Sequence, residues 1–236
     1  MFDFTNHVIV VTGAAGNLGR AVVEAFLAAG GTVCGLDHRQ GRLLDLFPEH
    51  AGTLHIYENA DLTNREALIA LGEQIRAEVG QVDVLVNTVG GFTMGERVDQ
   101  ITAETWNKMM DINVRSLLNA SATFVPRMLE AGGGKIVTVS AGAALKGGAR
   151  MGAYAAAKAA VLRLTESMAG ELKASNIQAN CVLPGTIDTP ENREAMPNAD
   201  FDKWVKPDKI ARVILFLSSP GAEAITGAAI PITGRS

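Results

Sequence analysis

Val8-Ile9-Val10-Val11-Thr12-Gly13-Ala14-Ala15-Gly16-Asn17-Leu18-Gly19 is the stretch from which the fold is read. It opens on an unbroken β-branched run, and beyond Gly19 the apolar residues Val22, Val23, Phe26 and Leu27 recur at helical spacing. Strand, glycine turn and helix are predicted in that order. Glycines let a backbone come close to a ligand, and the unpaired N–H groups and positive dipole end of the following helix favour an anion. Because the turn has the strand and the helix that this chemistry demands, a dinucleotide pyrophosphate is favoured over a plain strand-to-helix connection, with Gly13, Asn17, Leu18 and Gly19 against it.

Working outward, Thr32-Val33-Cys34-Gly35-Leu36 predicts a second strand that delivers Asp37 at its carboxyl end, 24 residues after Gly13. A carboxylate there accepts hydrogen bonds from adenosine ribose hydroxyls and repels a 2′-phosphate, which favours NAD over NADP. Arg39 is the competing feature, since a guanidinium can meet that phosphate. A third strand over Thr53–Glu58 leads to Asp61-Leu62-Thr63, where Asp61 serves either the adenine edge or a simple turn and Thr63 caps a helix. Val82-Asp83-Val84-Leu85-Val86 lacks alternation, as a strand buried on both faces of a parallel sheet does, and runs into Asn87-Thr88-Val89-Gly90-Gly91.

The alternation continues in the second half. A helix from Thr102 passes through Asp111-Ile112-Asn113-Val114 to about Ala131 and stops at Gly132-Gly133-Gly134. Asn inside a helix is up to about 0.7 kcal/mol worse than Ala, so Asn113 is either hydrogen-bonded into the core or kept for function. A fifth strand, Lys135–Val139, ends at Ser140, and after a small-residue loop a helix carries Tyr154 and Lys158. A spacing of four stacks phenol and ammonium on one face, their Cβ atoms about 5–6 Å apart. A cation so placed lowers a phenol pKa that starts at about 10 and fits Tyr154 for proton transfer. Taken alone, the same pair is more often an amphipathic ring beside a solvated charge. Ile177–Leu183 is a sixth strand. The segment after it, about residues 185–206, is expected to be irregular and is read as a substrate lid. A helix over Asp208–Leu217 and a short strand near Ala228–Ile232 complete an α/β, doubly wound parallel sheet of the Rossmann type, read as a single domain over residues 1–236.

Bulk composition narrows the function. With 47% hydrophobic and 19% charged residues the 236-residue chain has ample apolar surface for a core. A net charge of −4 offers no basic field, which argues against nucleic acid and for a small-molecule partner. No basic leader precedes Val8, and the apolar run there is far too short to span a bilayer. Cys34 and Cys181 sit among β-formers as small hydrophobes, so neither a disulfide nor a metal site is supported, and a cytoplasmic setting is expected.

Together, Thr12-Gly13 with Gly19, Asp61-Leu62, Asn87 with Gly90, Asn113, Ser140, Tyr154 with Lys158, and Pro184-Gly185 with Thr189 resemble the short-chain dehydrogenase/reductase family over nearly the whole chain, in its order and approximate spacing. The resemblance implies an NAD(P)-dependent oxidoreductase in which Tyr154 exchanges a proton with a carbonyl or alcohol oxygen that Ser140 also hydrogen-bonds. Lys158 lowers the Tyr154 pKa and binds the nicotinamide ribose, and Asn113 holds a proton-relay water. Asp61, Leu62, Asn87 and Gly90 line the adenosine half, while Gly185, Ile187 and Thr189 flank the nicotinamide, the last two at its carboxamide. Asn17 replaces the family's middle glycine and Thr88-Val89 its Asn-Ala; Asn tolerates positive φ, which fits the first change.

The run Asp188–Arg193 with Met196-Pro197, Phe201 and Trp204 is similar to the lid of quinoid dihydropteridine reductases; a 3-oxoacyl thioester reductase is the alternative. Arg193 is a candidate partner for an acidic substrate. The competing class is a non-enzymatic dinucleotide-sensing regulator on the same fold, which would be expected to lose the tyrosine or lysine kept here. Apolar side chains on more than one face of the helices around 114–128 and 155–172 predict that another subunit covers part of this surface; the resemblance implies a tetramer, so a homotetramer or homodimer is expected.

Overall fold

The predicted β-rich runs become β1 (Val8–Thr12), β2 (Thr32–Leu36), β3 (Leu54–Tyr57), β4 (Val84–Asn87), β5 (Gly134–Val139), β6 (Ile177–Pro184) and β7 (Ala229–Ile232). In the computed structural model, which describes residues 2–48 and 52–235, they form one parallel sheet ordered β3-β2-β1-β4-β5-β6-β7. Met1 and Ser236, the ends of the expected domain, lie outside the described residues. Period-2 geometry sends Ile9 and Val11 of β1 to one face of the sheet and Val10 to the other. Ile9 and Val11 meet Val22 and Phe26 of α1 (Asn17–Ala28) and Ile210 and Ile214 of α8 (Pro207–Ser218). Val10 belongs to the core formed with Leu68 of α3 (Arg65–Glu78), Phe124 of α5 (Ser116–Ala131) and Leu172 of α6 (Gly152–Leu172). Each such side chain withdrawn from water contributes about 1.5–3 kcal/mol, and covering both faces explains why the strands read as continuous apolar runs.

The chain winds outward from β1 to β2 and β3, then returns to place β4 on the other side of β1. Here the order reverses, and a crevice opens beyond the carboxyl ends of β1 and β4. Asn87 ties these two ends together, its side-chain oxygen accepting from the Thr12 hydroxyl at 2.7 Å; the Thr88 hydroxyl adds a bond to the Thr12 carbonyl at 2.7 Å. Gly13 turns with φ +67°, and a Cβ on Gly19 would lie 2.1 Å from the Gly13 carbonyl oxygen, so only glycine lets α1 start this close to the turn.

Three expectations are corrected. Thr63 does not cap α3: its hydroxyl is spent on Asp61, and Asn64 accepts from the Ala67 amide instead. The helix through Asn113 is not uniformly α-helical: α4 (Ala103–Met110) passes into one wide π turn, Asp111–Arg115, before α5. The segment expected to form a lid is not irregular. Ile187 bridges Val205 as a parallel pair, α7 (Pro190–Ala195) is capped by Thr189, and Arg193 fixes Asp188 with bonds of 2.6 and 2.9 Å.

Candidate active site

The sheet order sets the site. At the carboxyl edge β5 lies between β4 and β6, so Ser140 at the end of β5 is flanked by the loop after β4 on one side and the lid after β6 on the other. Helix α6 brings Tyr154 and Lys158 over the same place, and Ser140, Tyr154 and Lys158 line one cavity of about 480 Å³ with Gly90, Gly185 and Ile187. A second cavity of about 670 Å³, lined by Gly13, Gly16, Asp37, Asp61, Leu62 and Gly90, continues from it through Thr88 and Gly90.

Lys158 and the β5 end are laced together reciprocally. The Ser140 hydroxyl donates to the Lys158 carbonyl at 2.7 Å, and the Lys158 ammonium donates to the Val139 carbonyl at 3.1 Å. Lys158 is only 5% exposed, and burial pushes its pKa down to about 8. Asn113 is buried as well. Its side-chain oxygen accepts from the Gly91 amide at 3.2 Å and its NH₂ donates to the Gly91 and Met109 carbonyls at 3.2 and 2.9 Å. The π turn permits this aim, since widening the helix by one residue redirects the side chains on that turn, and such turns recur at functional sites. A Cβ on Gly90 would lie 2.8 Å from the Lys158 nitrogen and 3.0 Å from the Asn113 side-chain oxygen, so both polar groups crowd one small space that glycine leaves open.

Tyr154 departs from expectation. Its pKa is pushed up to about 12 by burial, not lowered by Lys158. The ammonium is turned to the Val139 carbonyl, while the phenol ring meets the Phe92 ring edge-to-face at 4.9 Å and 81°. Phe92 belongs to none of the sequence motifs, although an aromatic residue directly after Gly90-Gly91 is a legible signal. Asn87 does not line the adenosine cavity, because its side chain is buried against Thr12 beneath it. Thr189 caps α7 through the Asn192 amide at 3.2 Å, and it is Asn192, bonded to the Ile187 carbonyl at 2.8 Å, that lines the catalytic cavity. Arg193 is no free cation: it pairs with Asp188 and lies 4.7 Å over the Phe201 ring.

The groove fits a dinucleotide. Gly16, the residue before α1, offers no side chain to cap it, and the first α-helical bond runs from the Arg20 amide to the Gly16 carbonyl, leaving the earlier amides for an anion. Asn17 starts α1 in ordinary helical geometry, so positive φ is not what its position demands; its side chain instead donates to Glu191 of the lid at 2.7 Å. Leu18 lines the catalytic cavity, while Gly19 is packed beneath the turn. Asp37 is buried at the end of β2. Burial pushes its pKa up, but hydrogen bonds from the Arg39 side chain and from the Arg39 and Ala15 amides outweigh that and hold it below the usual carboxylate value. Asp61 accepts from the Thr63 amide at 2.8 Å, and Asn119 pins the Leu62 carbonyl at 2.8 Å, fixing this wall of the adenosine cavity.

Residues 7–200 match the family model of the short chain dehydrogenases. The chain is 31% identical to a 3-oxoacyl-(acyl-carrier-protein) reductase FabG of Thermotoga maritima, with 96% of each chain covered. It is 30% identical to the rat dehydrogenase/reductase SDR family member 6, again with 96% of each covered. A crystal structure described as a ribose-5-phosphate isomerase from Brucella melitensis superposes with a TM-score of 0.90 at 28% identity, covering 99% of this chain and 93% of that one. No described helix is long and apolar enough to cross a membrane. Matched by the family model over residues 7–200 and by these relatives along nearly its whole length, the chain belongs to the short chain dehydrogenase family and is an NAD(P)-dependent oxidoreductase.

Proposed function

We propose that the protein interconverts a carbonyl substrate and its alcohol, with Tyr154 giving or taking the proton. The observation that carries this reading is the convergence of Ser140, Tyr154 and Lys158 in one cavity continuous with the glycine-turn groove. A bound nicotinamide dinucleotide supplies or accepts the hydride. Gly13, Asn17, Leu18 and Gly19 would hold its pyrophosphate, Asp37 its adenosine ribose, Asp61, Leu62 and Gly90 its adenosine end, and Gly185 and Ile187, with the Asn192 that Thr189 fixes through the α7 cap, its nicotinamide end, with Lys158 at the nearer ribose. NAD is favoured over NADP, because Arg39 is already neutralised by Asp37 and the Asp37 carboxylate repels a further phosphate.

Tyr154 holds its proton at neutral pH and donates it to the substrate oxygen. The Ser140 hydroxyl has one proton and gives it to the Lys158 carbonyl, so it reaches the substrate oxygen by rotating, at a cost of about 0.5–1.5 kcal/mol for the bond released. Asn113 and Lys158 border the relay that returns protons to Tyr154, with a water held by Asn113. The substrates to try first are a 3-oxoacyl thioester, for the activity in the Thermotoga relative's name, and a quinonoid dihydropterin, for the lid resemblance. Trp106, Leu118 and Leu129 expose apolar surface on α4 and α5, in keeping with a homotetramer or homodimer; a 24.8 kDa species in sedimentation would contradict it. The buried free thiols of Cys34 and Cys181 suit a reducing cytoplasm.

The deciding experiment follows NADH oxidation over a carbonyl panel for the wild type and Tyr154→Phe. Turnover is expected to fall by about 10²–10⁴-fold while NADH still binds, as loss of a general acid demands. Retained turnover in the variant rejects Tyr154 as the proton donor.

A further inference from the structure

Resting on the carbonyl-reduction reading, the catalytic cavity also states what kind of molecule it takes. Its charge is unusual for a site expected to meet acidic metabolites. Of the described residues that line it, Lys158 alone is charged, and that ammonium is buried and bonded to the Val139 carbonyl. Arg193, the lid arginine, is committed on both sides, to Asp188 by two hydrogen bonds and to the face of Phe201. A carboxylate or phosphate brought here would lose its water with no free cation to replace it, which costs several kcal/mol.

The walls are apolar on two opposed elements. Phe92, on the loop after β4, is 61% exposed, and Met196, at the end of α7 in the lid, is 41% exposed. Both line the cavity, and the sheet order puts them on either side of the β5 end where Ser140 lies. Gly90, Gly91, Ala141, Gly142 and Ala143 add only backbone and methyl groups to the lining, whose polar side chains other than Lys158 are the uncharged Thr88, Ser140, Tyr154, Thr186 and Asn192. Phe92 meets Tyr154 edge-to-face, so a body lying along the Phe92 ring is held beside the phenol that gives the proton. Large apolar side chains left open at a cavity mouth are most economically explained by a ligand that covers them.

We infer that the substrate is an uncharged carbonyl compound with a flat, apolar, preferably aromatic body next to the reacting carbon, gripped between Phe92 and Met196. Phe92 is thereby a specificity residue that orients the carbonyl toward Tyr154.

Three probes separate the components of this claim: methyl phenylglyoxylate has the ring and no charge, phenylglyoxylate has the ring and a carboxylate, and methyl pyruvate has neither ring nor charge. With the wild-type enzyme and NADH or NADPH, kcat/KM for methyl phenylglyoxylate is expected to exceed that of each of the others by about tenfold or more, equivalent to about 1.4 kcal/mol. Phe92→Ala should pull the ratio of aryl to alkyl ester toward one, chiefly through KM, and Phe92→Tyr should restore it. Calorimetric titration of the three probes into enzyme saturated with NAD⁺, where no reduction occurs, should rank them in the same order. Turnover of phenylglyoxylate at or above that of its ester, or an unchanged ratio in Phe92→Ala, overturns the substrate class and leaves carbonyl reduction standing. Cofactor binding with no turnover of any probe, and none of the wider carbonyl panel, overturns both.

Discussion

Replacing Lys158 with methionine removes an ammonium buried to 5% exposure while keeping the length of the side chain, and the consequence for stability has a sign and a size. Burial lowers the lysine from 10.5 to about 8, which at about 1.36 kcal/mol per pH unit means the charged group costs the fold about 3 kcal/mol at neutral pH. Below about pH 8 both folded and unfolded chains carry the proton and the cost is present in full. Between about 8 and 10.5 the unfolded chain binds more protons than the folded one, so stability rises with pH until the cost is gone. The wild type should therefore gain about 2 kcal/mol on Lys158→Met between about pH 7 and 9.5. The lost bond to the Val139 carbonyl shifts the two curves by a constant and does not alter their relative slope. Urea unfolding of both proteins across this range measures the difference directly, every other titrating group being common to both. Activity of the variant should collapse, so stability and function move apart. Curves that stay parallel across the range would show that Lys158 is not desolvated, and the account of the site built on its burial would fail.

Gly90→Ala places a Cβ 2.8 Å from the Lys158 nitrogen and 3.0 Å from the Asn113 side-chain oxygen, so kcat should fall by about 10²-fold, the expected effect of misplacing catalytic groups by about 1 Å, while circular dichroism is unchanged. Reduction of a carbonyl should be insensitive to pH from about 6 to 7.5, where Tyr154, raised to about 12, keeps its proton, whereas alcohol oxidation should accelerate with rising pH; a pH–rate profile in each direction checks the asymmetry. Asp37→Asn releases Arg39 from a bond of 2.9 Å and removes the repelling charge, so the NADPH-to-NADH preference ratio should rise about tenfold or more, read from kcat/KM with each cofactor.

The sheet was legible because a strand buried on both faces is largely apolar, and β1 and β4 read in that way as far as the Thr12 and Asn87 that close them, whereas β6 carries Gln178 and Asn180 among its apolar residues. The positions of Ser140, Tyr154 and Lys158 followed from strand ends and from helical spacing. What stayed hidden depends on contacts between distant parts of the chain. Thr63 is a good capping residue locally, yet its hydroxyl is taken by Asp61. Arg193 resembles a free cation until Asp188 and Phe201 are seen beside it. Asn17, 174 residues from Glu191, becomes a clasp between the glycine turn and the lid only once the fold brings them together. The π turn likewise has no spacing signature, because one extra residue in a helix leaves the apolar pattern on either side intact.

The two pKa directions at the catalytic pair share one origin. Burial disfavours whichever form is charged, so it raises the phenol of Tyr154 to about 12 and lowers the ammonium of Lys158 to about 8. Each group is moved toward its neutral form, and yet at pH 7 the lysine still lies below its pKa and the tyrosine far below its own. The pair at rest is therefore a phenol beside an ammonium, both bearing protons. Such a pair is ready to give a proton and needs outside help to take one: a developing alkoxide draws the phenol proton without prior ionisation, whereas alcohol oxidation must first make a phenolate against the desolvation cost. On the proposed mechanism Lys158 assists the first process by replacing the proton that Tyr154 gives up, its ammonium lying close to the space beside Gly90 that Asn113 also borders. On the proposed mechanism, a pair that carries both protons at neutral pH favours carbonyl reduction there, with the reverse reaction gaining as the solution becomes alkaline.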